Sequence, residues 1–309
     1  MKPDAVLLAG FGGPTRREEV LPFLKRVAHG HDLSAERLAL VAAAYERLGG
    51  RSPYDDLAAA LQRSLGAELA RRGAPLPIYA GMRHSNPRLA EALARMKLDG
   101  RRRVAGVILA PHRSGASTDR YIEETASALD SLGEAAPQVA WIRPWFDDPG
   151  YWEACAQRIE EATGHVRGRW PRQLSIVFTA HSIPCDVAAR SSYAGDATAS
   201  CRGVAALLGA DDWELAWQSR SGKPDQAWLE PDIRDVIARR AVGGAQEIVV
   251  QAIGFLFDHA EVQFDLDVQA AETARQAGIR MLRAPCAHDH PAFVAMLADR
   301  ILETGERFT

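Results

Sequence analysis

Two short stretches of the chain join an apolar run to ionisable side chains. The run Leu174–Phe178 leads into Thr179-Ala180-His181-Ser182-Ile183, and the run Ile248–Leu256 leads into Asp258-His259-Ala260-Glu261. If each run is a buried parallel strand, His181 and Glu261 stand near strand ends, and in an open α/β sheet that edge is where ligands bind. A neutral imidazole and a carboxylate meeting there can hold a divalent metal, accept protons, or do both. The two groups are expected to converge from opposite lobes of the protein. Read as an α-helix, 258–272 stacks Glu261, Asp265 and Gln269 on one face at four-residue intervals, with a rise of about 6 Å per step. Two of the three are acids, and Asp258 and Asp265 also suit the positive end of a helix macrodipole.

Other stretches reach the same edge. Ala110-Pro111-His112-Arg113-Ser114 follows a third strand and Trp217-Gln218-Ser219-Arg220 a sixth, so aromatic and basic groups there could sandwich a flat ligand and pair its carboxylates. Ser182 beside His181 lacks a G-x-S-x-G elbow, which leaves a serine hydrolase without support. No G-x-x-x-x-G-K-[ST] loop is present for ATP. Gly10-Phe11-Gly12-Gly13-Pro14 lacks the G-x-G-x-x-G spacing and reads as a tight strand-to-helix turn. His288 and His290 form an HxH, but Asp289 and Pro291 mark a helix start there.

The elements that must position these groups are short β-rich runs alternating with longer segments of helical period, the pattern of parallel sheets covered by helices. Strands are expected at Ala5–Gly10, Leu76–Gly81, Val104–Ala110, Gln138–Trp141, Leu174–Ala180, Trp213–Trp217, Glu247–Ile253 and Ile279–Leu282. Helices are expected at Ala35–Leu48 and Tyr54–Arg72, separated by a Gly49–Pro53 stop and restart. The fold class is therefore α/β, with two similar four-stranded halves. The expected domains are 1–146 and 147–309, the last helix, about Pro291–Leu302, packing back on the first. With 309 residues, 47% hydrophobic and 25% charged, the composition is that of a globular protein. A formal net charge of −3, from 37 basic and 40 acidic residues without long blocks, carries no nucleic-acid footprint. Apolar runs fall short of the roughly 20 residues of a membrane span. The four cysteines show neither CxxC nor zinc spacing, and no iron–sulfur cluster is expected. The reading is a cytoplasmic monomer, with peripheral membrane contact left open.

Seven segments together resemble the ferrochelatases, ATP-independent enzymes that insert ferrous iron into a porphyrin. They are LLAGFGGP at 7–14, YERLGGRSPY at 45–54, YAGMRHSNP at 79–87, APHRS at 110–114, FTAHSIP at 178–184, WQSRSGKPDQAWLEPDI at 217–233 and IGFLFDHAEVQFDLD at 253–267. They occur in the family's order and cover nearly the whole chain. The resemblance implies two Rossmann-like domains with porphyrin in a cleft between them. His181 falls where the family's metal-contacting histidine lies in A-H-S-[LI]-P, Glu261 where its partner lies in D-H-x-E, and Asp265 in the acidic row leading from the site. Trp228 falls in the W-L-x-P stretch, and Arg83 and His84 in a stretch near the cleft. Phe11, His112, Arg113, Trp217 and Ser219 complete the expected porphyrin contacts. Ferrous iron would be a substrate, with no tightly bound cofactor. Three departures stand out: Phe11 replaces a tyrosine of several bacterial relatives, Gln269 replaces an acid, and Gly195-Asp196-Ala197-Thr198 replaces Gly-Asp-Pro-Tyr. The APH segment at 110–112 resembles the coproporphyrin-using bacterial type; protoporphyrin IX remains the other candidate substrate. The alternatives are a non-catalytic tetrapyrrole carrier and a cobalt or nickel chelatase of an earlier tetrapyrrole.

Overall fold

The computed structural model describes residues 1–28, 35–115, 117–221 and 225–308, so the Gly222-Lys223-Pro224 part of the sixth motif lies outside them. The chain forms two compact units. The first holds Met1–Leu109, Thr118–Arg143 and the chain from Val294 onward; the second holds Ala110–Ser117 and Pro144–Phe293. A single cut between 146 and 147 is therefore too simple. The 110–117 segment, with its APHRS motif, belongs to the second unit, and most of the last helix to the first.

In the first unit, β1 (Ala5–Gly10), β2 (Ile78–Met82), β3 (Arg103–Ile108) and β4 (Gln138–Trp141) form a parallel sheet in the order β2-β1-β3-β4. Every residue of β1 is buried, as a central strand covered on both faces requires. The helix Tyr54–Arg71 contributes Tyr54, Ala58, Leu61, Leu65 and Leu69, a stripe at three- and four-residue spacing that is wholly buried. At these densities the stripe fixes the helix against the sheet better than helix propensity alone would.

In the second unit, β5 (Ser175–His181), β6 (Trp213–Gln218), β7 (Glu247–Gln251) and β8 (Arg280–Ala284) repeat the arrangement as β6-β5-β7-β8. Connections run to one side of β5 and then to the other, so the sheet switches direction between β5 and β7. A doubly wound sheet opens a crevice at that switch, outside the strand ends. His181 is the last residue of β5, and Glu261 follows β7. Both groups thus come from neighbouring strands of one sheet and not from opposite lobes. The expected 147–309 domain already contains both residues, so two strand ends of one sheet, and not two lobes, account for the repeated pattern.

The segment after β7 departs from the expected α-helix. Ala260–Val262 is α-helical, Gln263–Ala270 is a π-helix, and Ala271–Ala277 is α-helical again. Val262, Leu266, Ala270 and Ala274 are all buried in one core, four residues apart each time. In a pure α-helix each such step overshoots the turn by roughly 40°. The wider π turn offsets that drift and keeps the row against the sheet. π segments are rare and concentrate at functional sites.

Candidate active site

His181 is fixed from several sides. Its Nδ1 hydrogen-bonds the Ser182 carbonyl, while the Tyr193 hydroxyl donates to the His181 carbonyl at 2.9 Å. A ring nitrogen facing a carbonyl must carry the proton, so a neutral ring presents the Nε2 lone pair. That Nε2 lies 3.5 Å from Glu261 Oε1. The two side chains retain 33% and 45% of their exposure, enough to receive an ion or a ligand from solvent. Close approach of backbone sets this geometry. The Gly254 amide donates to the Thr179 carbonyl at 2.9 Å, and a Cβ on Gly254 would meet Ala180 at 2.6 Å. Only glycine lets the post-β7 segment lie on the end of β5. Phe255 then stands 6.5 Å from the His181 ring and 5.1 Å from His259. Burial lowers the His259 pKa, against the charges of Glu261 and Asp258.

Asp265 lies behind Glu261. It accepts from the Ser219 hydroxyl and from Gln218 Nε2, the latter at 3.2 Å. Its carboxyl is pushed up to about 6, first by burial and then by the charge of Glu261, with Ser219 opposing. Ser219 sits at φ 64, a left-handed conformation that aims its hydroxyl at this acid. Gln269, the third member of the row, is half-buried.

Asp258 has a role other than a helix cap. Its carboxylate pairs with Arg283, meets His288 Nε2 at 2.7 Å, and accepts from the Cys286 amide at 3.0 Å and the Cys286 thiol at 3.3 Å. Burial works to raise its pKa, yet the His288 hydrogen bond and the Arg283 charge hold the carboxyl well below its ordinary value. Asp258, Cys286 and His288 present ligand atoms within 4.8 Å of one another. A metal there would have to displace the Arg283 guanidinium and deprotonate a thiol whose pKa burial has raised. The cluster is a closed ion-pair brace.

Other expected contacts divide clearly. Ser219 joins the site through Asp265. Trp217 is 5% exposed and packs with Ala180, Ile183, Tyr193 and Ala197, so it supports the strand ends. His112 is 2% exposed, its Nε2 lies 2.9 Å from the Ser200 hydroxyl, and burial lowers its pKa to about 3. It braces the interior of the second unit through this hydrogen bond. Arg113 is exposed, and its amide donates to Asp196 at 3.3 Å. Trp228 is half-buried, forms a β-bridge with Pro184, and donates to Gln226 at 3.3 Å.

In the first unit, Phe11 is 37% exposed and its ring lies 4.5 Å from His84 and 6.1 Å from Phe23. Burial, then the charge of Arg83, lowers His84 to about 3. Arg83 is ion-paired with Glu124 at 2.7 Å and stacked 5.3 Å over Tyr121, so its charge is already engaged. Sequence reasoning missed Thr179, Tyr193, Phe255 and the side chain of Gln218. The detectable signal was polarity within uniformly apolar strand ends, at Thr179 and Gln218.

The ferrochelatase family profile matches residues 3–304. A protein named ferrochelatase from Rhodopirellula baltica is 40% identical over 305 residues, covering 97% of this chain and 86% of that protein. Coproporphyrin III ferrochelatases from Leifsonia xyli and Mycolicibacterium smegmatis are each 37% identical, covering 97% and 98% of this chain and 83% and 90% of theirs. Among solved structures, SirB from Bacillus subtilis with Fe3+ aligns with a TM-score of 0.58 at 12% identity, covering 99% of this chain and 98% of that one. The SirB likeness concerns the fold alone. Strand order, the paired imidazole and carboxylate, and identity along nearly the full length converge: the chain belongs to the ferrochelatase family.

Proposed function

We propose that His181 and Glu261 carry out the iron insertion of this family, with coproporphyrin III as the porphyrin. Insertion of Fe2+ into a porphyrin for haem biosynthesis is the activity of a ferrochelatase, and this chain is an enzyme of that kind. The reaction must strip water from the ion and remove two pyrrole N–H protons. The observation that carries the assignment is the 3.5 Å separation of His181 Nε2 and Glu261 Oε1. Two donors about 2.1 Å from one first-row ion stand roughly 3 to 3.5 Å apart, so this pair can share a ferrous ion with little rearrangement. The same atoms can take the leaving protons, since a lone pair on Nε2 and a carboxylate oxygen are both bases. Asp265 supplies a third oxygen that keeps the approach negative.

Names of similar proteins support coproporphyrin III over protoporphyrin IX, as does the APH segment. On the second unit, which carries His181 and Glu261, we assign Arg113 and Trp228 as porphyrin contacts. No helix among the described residues is long and apolar enough to cross a membrane. We read the protein as a cytoplasmic monomer, with ferrous iron as substrate and no resident cofactor. Anaerobic mixing with Fe2+ and either porphyrin, followed by visible absorption, tests the reading. Coproporphyrin III should be metallated faster, and His181→Ala should bind it without metallating it. Near-normal turnover by that variant would reject the site.

A further inference from the structure

We infer that Gln218 is a positioning residue that ties the His181 strand end to Asp265. This rests on the assignment of His181, Glu261 and Asp265 above and adds a residue that acts through them. Gln218 is the parallel-register partner of His181, and it is 1% exposed in a sheet whose other buried strand positions are mostly apolar. Three of its four polar groups carry the link. The backbone carbonyl accepts from the Ser182 amide at 2.8 Å, next to His181. The side-chain Oε1 accepts from the Thr179 hydroxyl at 2.7 Å, and Nε2 donates to Asp265 at 3.2 Å.

The orientation of the amide follows from its neighbours. An ionised carboxylate only accepts, so the atom facing Asp265 must be nitrogen, and Thr179, which can donate, takes the oxygen. Thr179 is fully buried, so its hydroxyl has no competing water to choose. One residue thus holds the strand end carrying His181 with its backbone and the carboxylate of Asp265 with its side chain. Hydrogen-bonded partners of metal-binding side chains tune affinity and rate by about 10- to 100-fold when removed.

The test is a double-mutant cycle on the full chain, scored by anaerobic insertion kinetics, porphyrin binding and thermal unfolding. Gln218→Met, which keeps the volume, should lower kcat/KM for Fe2+ by about tenfold while leaving porphyrin affinity unchanged. In an Asp265→Ala background the same substitution should have no further effect. Thr179→Val should reproduce part of the loss, and Thr179→Ser should restore it. Additive losses from Gln218→Met and Asp265→Ala, or a parallel loss of porphyrin affinity, would overturn the inference. Should Gln218→Met fail to fold, Thr179→Val against Thr179→Ser still decides it, since equal activity of the two variants would overturn it. An active His181→Ala would instead sink the site assignment itself, so the two failures are distinguishable.

Discussion

The two sheets share one strand order, yet the loops at their ends treat polar groups in opposite ways. At the end of β1, the Phe11 amide donates to the Tyr54 hydroxyl at 2.9 Å, and the Gly13 amide to Asp55 Oδ1 at 3.1 Å, which also accepts from Ser85. Nearby Arg83 is engaged by Glu124. At the end of β5, His181 Nε2 and Glu261 face one another across 3.5 Å with exposure to spare. One edge has closed on itself; the other leaves an imidazole nitrogen and a carboxylate partly exposed, the pair that the proposed function assigns to the incoming ion. Chemistry thus resides in which polar groups stay unsaturated, and the common scaffold does not decide it.

If that contrast is right, injury to the second edge should remove activity at little cost in stability, and injury to the first should do the reverse. The largest effect is expected from His181→Ala. Insertion should fall by more than about 100-fold, the range for loss of a positioned base or ligand, while the unfolding midpoint stays within a few degrees. Anaerobic kinetics beside calorimetry would show it; a collapse of stability would mean the second edge is structural too.

Gly12→Ala comes next. Gly12 has φ +84, and a Cβ there would lie 2.2 Å from the Ser85 hydroxyl oxygen and 2.9 Å from the Ser85 amide nitrogen. The left-handed backbone and the overlap together should cost about 2–4 kcal/mol. Denaturant unfolding measures this. A loss under about 0.5 kcal/mol would show that the first edge is looser than its hydrogen bonds imply.

The sequence exposed the scaffold well because buried parallel strands are continuous apolar runs. β1 and β4 fall on the expected residues, and the other six begin and end within a few residues of them. His181 and Glu261 were legible for the same reason, each following such a run. The π-helix was not, since Val262, Leu266 and Ala270 fit an α-helical stripe nearly as well, and only the packed row separates the two. Nor was the interior fate of His112 and Trp217, because strand-end position does not say which face of the sheet a side chain takes. The link from Thr179 through Gln218 to Asp265 depends on parallel register, which one strand's sequence does not contain.

Asp55 sharpens the comparison through pH. Burial pushes its carboxyl up to about 6, against hydrogen bonds from Ser85 and the Gly13 amide. The folded state therefore holds a proton that the unfolded state, titrating near 3.8, releases. Stability from this group is greatest at low pH and declines as pH rises from about 4 to about 6. Asp55→Asn keeps the acceptor oxygen and removes the buried charge. Above about pH 6 the variant should be more stable by about 1–2 kcal/mol, after allowance for partial exposure, with the advantage fading toward pH 4. Unfolding midpoints across pH 4–7.5 give the difference curve, and a flat one would mean that solvent reaches this acid freely.

Phe11→Tyr is the smallest and finest test. Phe11 is the side chain at the end of β1 that stays open, a ring 37% exposed against His84 and Phe23. A phenyl ring offers only its faces and edge, whereas a phenol adds a donor and a weak ligand oxygen without changing the packing body. Stability should move by less than about 0.5 kcal/mol, as for most half-exposed substitutions. Turnover should stay within about twofold if metal chemistry belongs to His181 and Glu261, a barrier change of about 0.4 kcal/mol. A tenfold change in insertion, or a new absorption band of the bound iron porphyrin in the variant alone, would show that the chemistry is not confined to His181 and Glu261, and the contrast between a closed edge and an open one would fall.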